Sequence, residues 1–175
     1  NGHKVGILDA DIYGPSLPRM MSINEKPKSE DGKSMTPIIQ YGVQCMSIGF
    51  LVDKDTPMIW RGPMVMKALE QMFNGVEWGG LDYLIIDLPP GTGDAQLTLA
   101  QSSKLSGAII VSTPQDVALI DARKGINMFN RVEVPILGIV ENMSYFICNK
   151  CDERHEIFSN GGVRKEAEKF QTIFL

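Results

Sequence analysis

The chain has 175 residues, 43% of them hydrophobic and 22% charged, which fits one domain with a buried core and excludes a disordered composition. Its net charge of -4, with no Lys/Arg cluster longer than a pair, lacks the electrostatic footprint of a nucleic-acid binder, and no apolar run nears the roughly 18 residues a membrane span needs. Three cysteines, an odd number, argue against a disulfide framework and for a reducing compartment.

In chain order, the first residues, Asn1 and Gly2 before a strand-like run, read as if a helix had ended upstream, so the chain is expected to be a fragment. VGILDAD (5 to 11) is the first predicted strand. Residues 24 to 37 are polar and turn-rich and read as a surface loop. VQCMSIG (43 to 49) is a second strand, with Cys45 expected to be a small buried core residue. A helix is predicted over 63 to 74, opened by Pro63 and carrying Met64, Ala68 and Met72 at spacings of four. YLIIDLPPG (83 to 91), AIIVSTP (108 to 114) and ILGIVENM (136 to 143) complete the strands. A helix over 114 to 130 starts from Thr113 and Pro114, has Asp116 in its first turn, and presents Val117, Ile120 and Met128 on its apolar side. A last helix follows Gly161 and Gly162, and the chain stops at the apolar FQTIFL. Continuous apolar runs suit strands covered on both faces, so the expected fold is an α/β doubly wound, mostly parallel sheet. Most of the ten methionines are expected to fill the core.

In such a sheet ligands bind beyond the carboxyl ends of the strands. Three of those ends carry acid or amide groups: Asp9 and Asp11, then Asp87, then Glu141 and Asn142. In LIIDLPPGTGD, Asp87 is delivered to the strand end, where a carboxylate can hold Mg²⁺ through water. Pro89, Pro90, Gly91, Thr92, Gly93 and Asp94 then form a turn able to bring backbone N–H groups close to a terminal phosphate. An isolated motif of this kind is more often an ordinary turn, and the accompanying acid-tipped strands weigh against that reading. The chain contains Gly32-Lys33-Ser34, but position 27 is Pro27, no strand precedes it and Pro37 interrupts any following helix, so it is not a phosphate loop.

Cys148 and Cys151 form a C-x-x-C pair. A redox dithiol, half of a zinc site with His155 as a third ligand, and half of an iron–sulfur site are all open readings. A thioredoxin-type pair should lie between a strand and a helix start, which the charged residues after Cys151 do not suit. Trp60 and Arg61 are further candidates for facing a partner or a nucleotide.

GILDADIYGPSLPRM, MSIGFL, IWRGPMVMKAL, LDYLIIDLPPGTGDAQLTLAQ, IIVSTPQDVALIDARKG and GIVENMSYFICNKC, in that order, resemble the Mrp-type (ApbC-like) iron–sulfur cluster carriers over nearly all of residues 4 to 170. These are deviant P-loop NTPases related to the nitrogenase iron protein and the septum-positioning ATPase, and the likeness is nearest to alphaproteobacterial members and the mitochondrial relative that helps assemble respiratory complex I. The resemblance implies one P-loop NTPase domain over 1 to 175, lacking its N-terminal strand, phosphate loop and first helix, with 144 to 158 a cysteine-bearing dimer-interface segment. It implies a homodimer in which Cys148 and Cys151 of each subunit hold one [4Fe-4S] cluster, delivered to apo iron–sulfur proteins, with complex I subunits among the candidate recipients. It implies ATP and Mg²⁺ as ligands: Asp11 as the catalytic acid that positions the attacking water, Asp9 beside it, Asp87 on the metal, Pro90 to Asp94 sensing the terminal phosphate, and Asn142 reading the adenine edge. Slow hydrolysis acts as a switch, in a bacterial cytoplasm or a mitochondrial matrix. Asn149 stands where the family usually has Pro, and Asp152 where it usually has Gly. Two other functions fit parts of the chain: a non-catalytic zinc- or cluster-bound scaffold, and an ATPase that positions other macromolecules.

Overall fold

The computed structural model describes residues 2–29, 32–52, 62–102 and 104–175, without the side chains of Asp94, Ala95 and Ser102. Trp60 and Arg61 lie outside the described residues. The chain divides into two compact units, Asn1–Pro90 and Gly91–Leu175.

The first unit is built on a four-stranded sheet. Strand β1 (Val5–Asp9) is followed by a single helical turn, α1 (Leu17–Met20), with Pro18 at its start. Strands β2 (Ile38–Gln40) and β3 (Val43–Ser47) form an antiparallel pair, then come helix α2 (Gly62–Asn74) and strand β4 (Tyr83–Asp87). The sheet order is β2-β3-β1-β4, with β1 parallel to both β3 and β4. Leu8, Cys45, Met46, Leu69 and Met72 form its core, each of them 2% exposed or less. Gly6 is required by close packing: a Cβ there would lie 2.6 Å from Leu81 Cδ1 and 3.0 Å from the Trp78 ring.

The second unit contains α3 (Asp94–Ser102), β5 (Ala108–Ser112), α4 (Asp116–Arg131) and β6 (Ile136–Glu141), with β5 and β6 parallel. A small antiparallel hairpin of β7 (Phe146–Ile147) and β8 (Arg154–His155) leads into α5 (Gly162–Lys169). Arg123 of α4 grips Glu166 of α5 with a two-pronged fork, Nε to Oε2 at 2.7 Å and Nη2 to Oε1 at 2.6 Å. The terminal apolar run lies along β6, where Ile139 N–H donates to Ile173 and Leu175 N–H to Ile139.

The five strands predicted from apolar runs are all present, as are the three helices, but their exposed faces differ from expectation. On α2 Met72 is buried as expected, but Val65 and Leu69 complete the buried stripe in place of Met64 and Ala68, and Met64 is exposed. On α4, Leu119, Ile126, Met128 and Phe129 are buried while Val117 and Ile120 face outward. That helix also starts later, at Asp116, because the Thr113 hydroxyl donates to the Gln115 side chain at 2.6 Å instead of capping the helix. Strands β4 and β5 are not covered on both faces: Tyr83, Ile85, Ile109 and Val111 are exposed, alternating with better buried neighbours. Met35, Met46, Met72 and Met128 are core residues, whereas Met20, Met64 and Met143 are exposed. Cys45 is buried as expected, and burial pushes its thiol above the usual range.

Candidate functional site

Parallel pairing of β1 with β3 and β4 sets Asp9 opposite Ser47 on one side and Asp87 on the other. The register therefore gathers polar groups from three strand ends at one edge of the first unit. Asp9 has no exposed surface, a costly place for a carboxylate unless donors surround it. Its Oδ2 accepts from the Ser47 hydroxyl at 2.9 Å and from Leu17 N–H at 3.1 Å, and its Oδ1 from Asp11 N–H at 3.2 Å. Asp9 thus pins the loop between β1 and α1. On that loop Asp11 makes a second, exposed turn, its Oδ1 accepting from Tyr13 N–H at 3.1 Å and Gly14 N–H at 3.2 Å.

Asp87 lies at the adjacent strand end, and its carbonyl accepts from Ala10 N–H at 2.8 Å. Although its side chain stays accessible, partial burial, then the charges of Asp9 and Asp11, hold its carboxyl above the ordinary carboxylate range. None of the hydrogen bonds among the described residues reaches that carboxylate, which is open to a divalent cation. No group of three or more His, Cys, Asp or Glu side chains among the described residues forms a metal cage.

After Asp87 the chain turns through Pro89, which is buried, and Pro90. Gly91 follows at φ +94°, a conformation that side chains rarely adopt. Thr92 and Gly93 are exposed, and Gly93 carbonyl accepts from Leu97 N–H as α3 begins at Asp94. In the second unit Asn142 is held by its N–H to the Ser112 carbonyl at 2.8 Å, at the end of β5. Its Oδ1 accepts from Met143 N–H at 2.9 Å and the residue is exposed.

Cys148 and Cys151 occupy the turn of the β7–β8 hairpin, both as free thiols. Cys148 N–H donates to the Glu153 carbonyl at 2.9 Å, extending the ladder, and Asp152 N–H closes the turn on the Cys148 carbonyl at 2.8 Å. Asp152 adopts φ +56°, which explains why a glycine is at home after the second cysteine and why Asp, a residue that tolerates this region, can replace it. The N–H of Lys150, then the N–H and thiol of Cys151, donate toward Cys148 sulfur and hold its thiol below the usual range. This is a turn arranged for a thiolate, the form that binds soft metals. His155 is paired opposite Phe146 on the hairpin, its Nε2 lying 3.9 Å from a Glu153 carboxylate oxygen. Cys148, Cys151 and His155 do not gather into a three-ligand metal set.

Two residues that organise these places were not singled out for a role by sequence. Ser47 ends β3, a position readable from VQCMS, and supplies the buried hydroxyl to Asp9. Glu141 was visible as a strand-end acid, and its carboxylate takes N–H groups from Gly161 and Val163 at 2.9 Å each.

Over residues 1–175 the chain matches the model of the ParA family described as NUBPL iron-transfer P-loop NTPase. It is 60% identical over 166 residues to the "Iron-sulfur protein required for NADH dehydrogenase, mitochondrial" of Arabidopsis thaliana, covering 95% of this chain and 53% of that protein. It is 58% identical over 175 residues to the "Iron-sulfur cluster carrier protein" of Escherichia coli, covering 99% of this chain and 47% of that one. The chain thus spans about half the length of these relatives. Among solved structures, a nucleotide-binding protein from Archaeoglobus fulgidus in complex with ADP superposes with a TM-score of 0.82 at 41% identity, covering 99% of this chain and 68% of that chain. The MinC:MinD cell division complex of Aquifex aeolicus, at a TM-score of 0.59 and 15% identity over 99% of this chain and 67% of that one, shares the fold.

Proposed function

The chain belongs to the NUBPL iron-transfer P-loop NTPases, and from that premise we propose that its protein carries a [4Fe-4S] cluster between two copies of itself and hands it to apo-proteins, using slow ATP hydrolysis as a switch. The observation that carries this reading is the hairpin turn of Cys148 and Cys151, which offers two sulfur donors and, among the described residues, gathers no third His, Cys, Asp or Glu ligand. A cluster held by four thiolates then requires a second copy. An apolar cleft of about 230 Å³ beside the turn, lined by Met143, Tyr145, Phe146, Ile157 and Phe158, supports the same reading. All five residues are more than 40% exposed, an apolar surface of the kind that marks a contact. Residues 144 to 158 are accordingly the proposed dimer segment.

For nucleotide binding, each residue takes the role that the resemblance implies. Asp11 sits on a loop fixed from beneath by Asp9 and orients the attacking water. Asp87 holds Mg²⁺, which neutralises phosphate charge when bound. The turn from Pro90 to Asp94, with its glycines at 91 and 93, follows the terminal phosphate, and Asn142 reads the adenine edge. ATP binding reshapes the Asp11 loop and this turn, and so changes how firmly two subunits grip the cluster. The recipients are apo iron–sulfur proteins, those of respiratory complex I among them. A bacterial cytoplasm or a mitochondrial matrix provides the reducing conditions that keep the thiols free.

The test is anaerobic reconstitution of the full-length protein with iron and sulfide. It is expected to give a broad visible absorption and about four irons per dimer. Cys148→Ala and Cys151→Ala should each abolish both. A cluster retained in both single variants, or held by a strict monomer, would falsify the reading.

A further inference from the structure

We propose that Glu141 is a positioning residue for the cysteine hairpin: its carboxylate clamps both feet of the hairpin to the end of β6 and so fixes where Cys148 and Cys151 are presented. The inference rests on the cysteine pair being the cluster ligands, as proposed above.

The hairpin has little else to hold it. Its strands are two residues each, too short for independent stability, and every residue from Cys151 to Asn160 is exposed. Its internal contacts, such as Arg154 stacked 4.2 Å over the Tyr145 ring, join one arm to the other rather than to the rest of the unit. The feet are different. At the entering foot the Ser144 hydroxyl donates to Glu141 Oε1 at 2.9 Å and to the Glu141 carbonyl at 3.2 Å. At the leaving foot Gly161 N–H donates to Oε1 and Val163 N–H to Oε2, both at 2.9 Å. Three of these bonds, one from the entering foot and two from the leaving foot, converge on this one carboxylate. Both N–H groups belong to the first turn of α5, where they have no partner within the helix and where negative charge is favoured. Burial alone would raise the Glu141 carboxyl, but the Gly161 and Val163 N–H groups, the Ser144 hydroxyl and the Arg164 charge outweigh it and lower it. The group is therefore ionised at neutral pH, with its acceptor capacity committed to the two feet. A neutral amide at the same position keeps one acceptor oxygen and turns a donor toward the other N–H.

Amide hydrogen exchange and cluster loss, measured on full-length Glu141→Gln and Glu141→Ala, test the clamp. In the metal-free protein, exchange at Gly161, Val163 and the hairpin amides of Cys148 and Asp152 is expected to rise about tenfold in Gln and further in Ala, with the β5 and β6 amides unchanged. In the loaded protein, cluster loss to a chelator, followed by the visible band, should quicken in the same order. If Glu141→Ala fails to fold, Glu141→Gln alone decides. Unchanged hairpin exchange and unchanged cluster loss in Glu141→Gln overturn the proposal even when the wild type binds a cluster through Cys148 and Cys151. Faster hairpin exchange in a protein that holds no cluster upholds the clamp and sinks the cargo reading instead.

Discussion

At the strand ends of the first unit, Asp9 has no exposed surface and three donors on its carboxylate, while at the cysteine hairpin of the second unit ten consecutive residues, Cys151 to Asn160, are exposed on strands of two residues. The first arrangement is finished within the chain. Its register and its buried acid are fixed by core packing and by hydrogen bonds within the unit. The second is left open, with the Cys148 thiol held low by neighbouring N–H groups and an apolar rim facing outward. On the proposed function, a site that grips the same nucleotide repeatedly would gain from preorganisation, whereas a site that releases its contents would gain from being completed by a partner that can leave.

Breaking the finished side should therefore cost stability, and breaking the open side should not. Asp9→Ala carries the largest expected effect. It strands the Ser47 hydroxyl and the Leu17 and Asp11 N–H groups, costing about 2–4 kcal/mol in denaturant unfolding while leaving cluster assembly at the hairpin intact. An Asp9→Ala protein as stable as wild type would erase the contrast.

Asp87→Asn has a smaller effect of opposite sign. Because the folded-state pKa of Asp87 is raised, its contribution favours the fold at acid pH and is lost as pH rises through that raised value. Removing the charge at neutral pH should then raise the melting temperature of the nucleotide-free protein by about 1–3 °C while ATP turnover collapses. A lowered melting temperature would show that Asp87 has a stabilising partner. Asp152→Gly is the smallest: it relieves a left-handed side chain in the thiol turn, so cluster loss to a chelator should slow by less than about tenfold and global unfolding should be unchanged.

Much of the scaffold was legible because β-branched runs closed by acids and turns mark the strands of a parallel sheet. Asp9, Asp11 and Asp87 were legible for the same reason, since strands running in one direction deliver their last residues to one edge. Covering was not legible. Apolar content says that Ile85 and Val111 can be buried, not whether a neighbour lies over them, and both are exposed. Helix phase failed similarly: Met64 and Val65, or Val117 and Leu119, are close enough in sequence that several apolar stripes fit, and packing selects one. Helix α3, DAQLTLAQS, is too polar and too short to announce itself, and the cysteine hairpin has strands shorter than any alternation can reveal. Ser47 and Glu141 escaped because their importance lies in long-range hydrogen bonds, 38 residues to Asp9 and 22 to Val163, which no local pattern encodes.

The sealed position of Cys45 gives the protein its own measuring standard. A small alkylating reagent added to the native, empty chain meets two accessible sulfurs at the hairpin, and all three only after denaturation. If the pair holds the proposed cluster, cargo would shield the outer sulfurs and leave the inner one as a constant, so the ratio of early to late labelling would report occupancy without colour or catalysis. The same contrast in burial exposes the outer pair to oxidants and shelters Cys45, so oxidation there would spare the core.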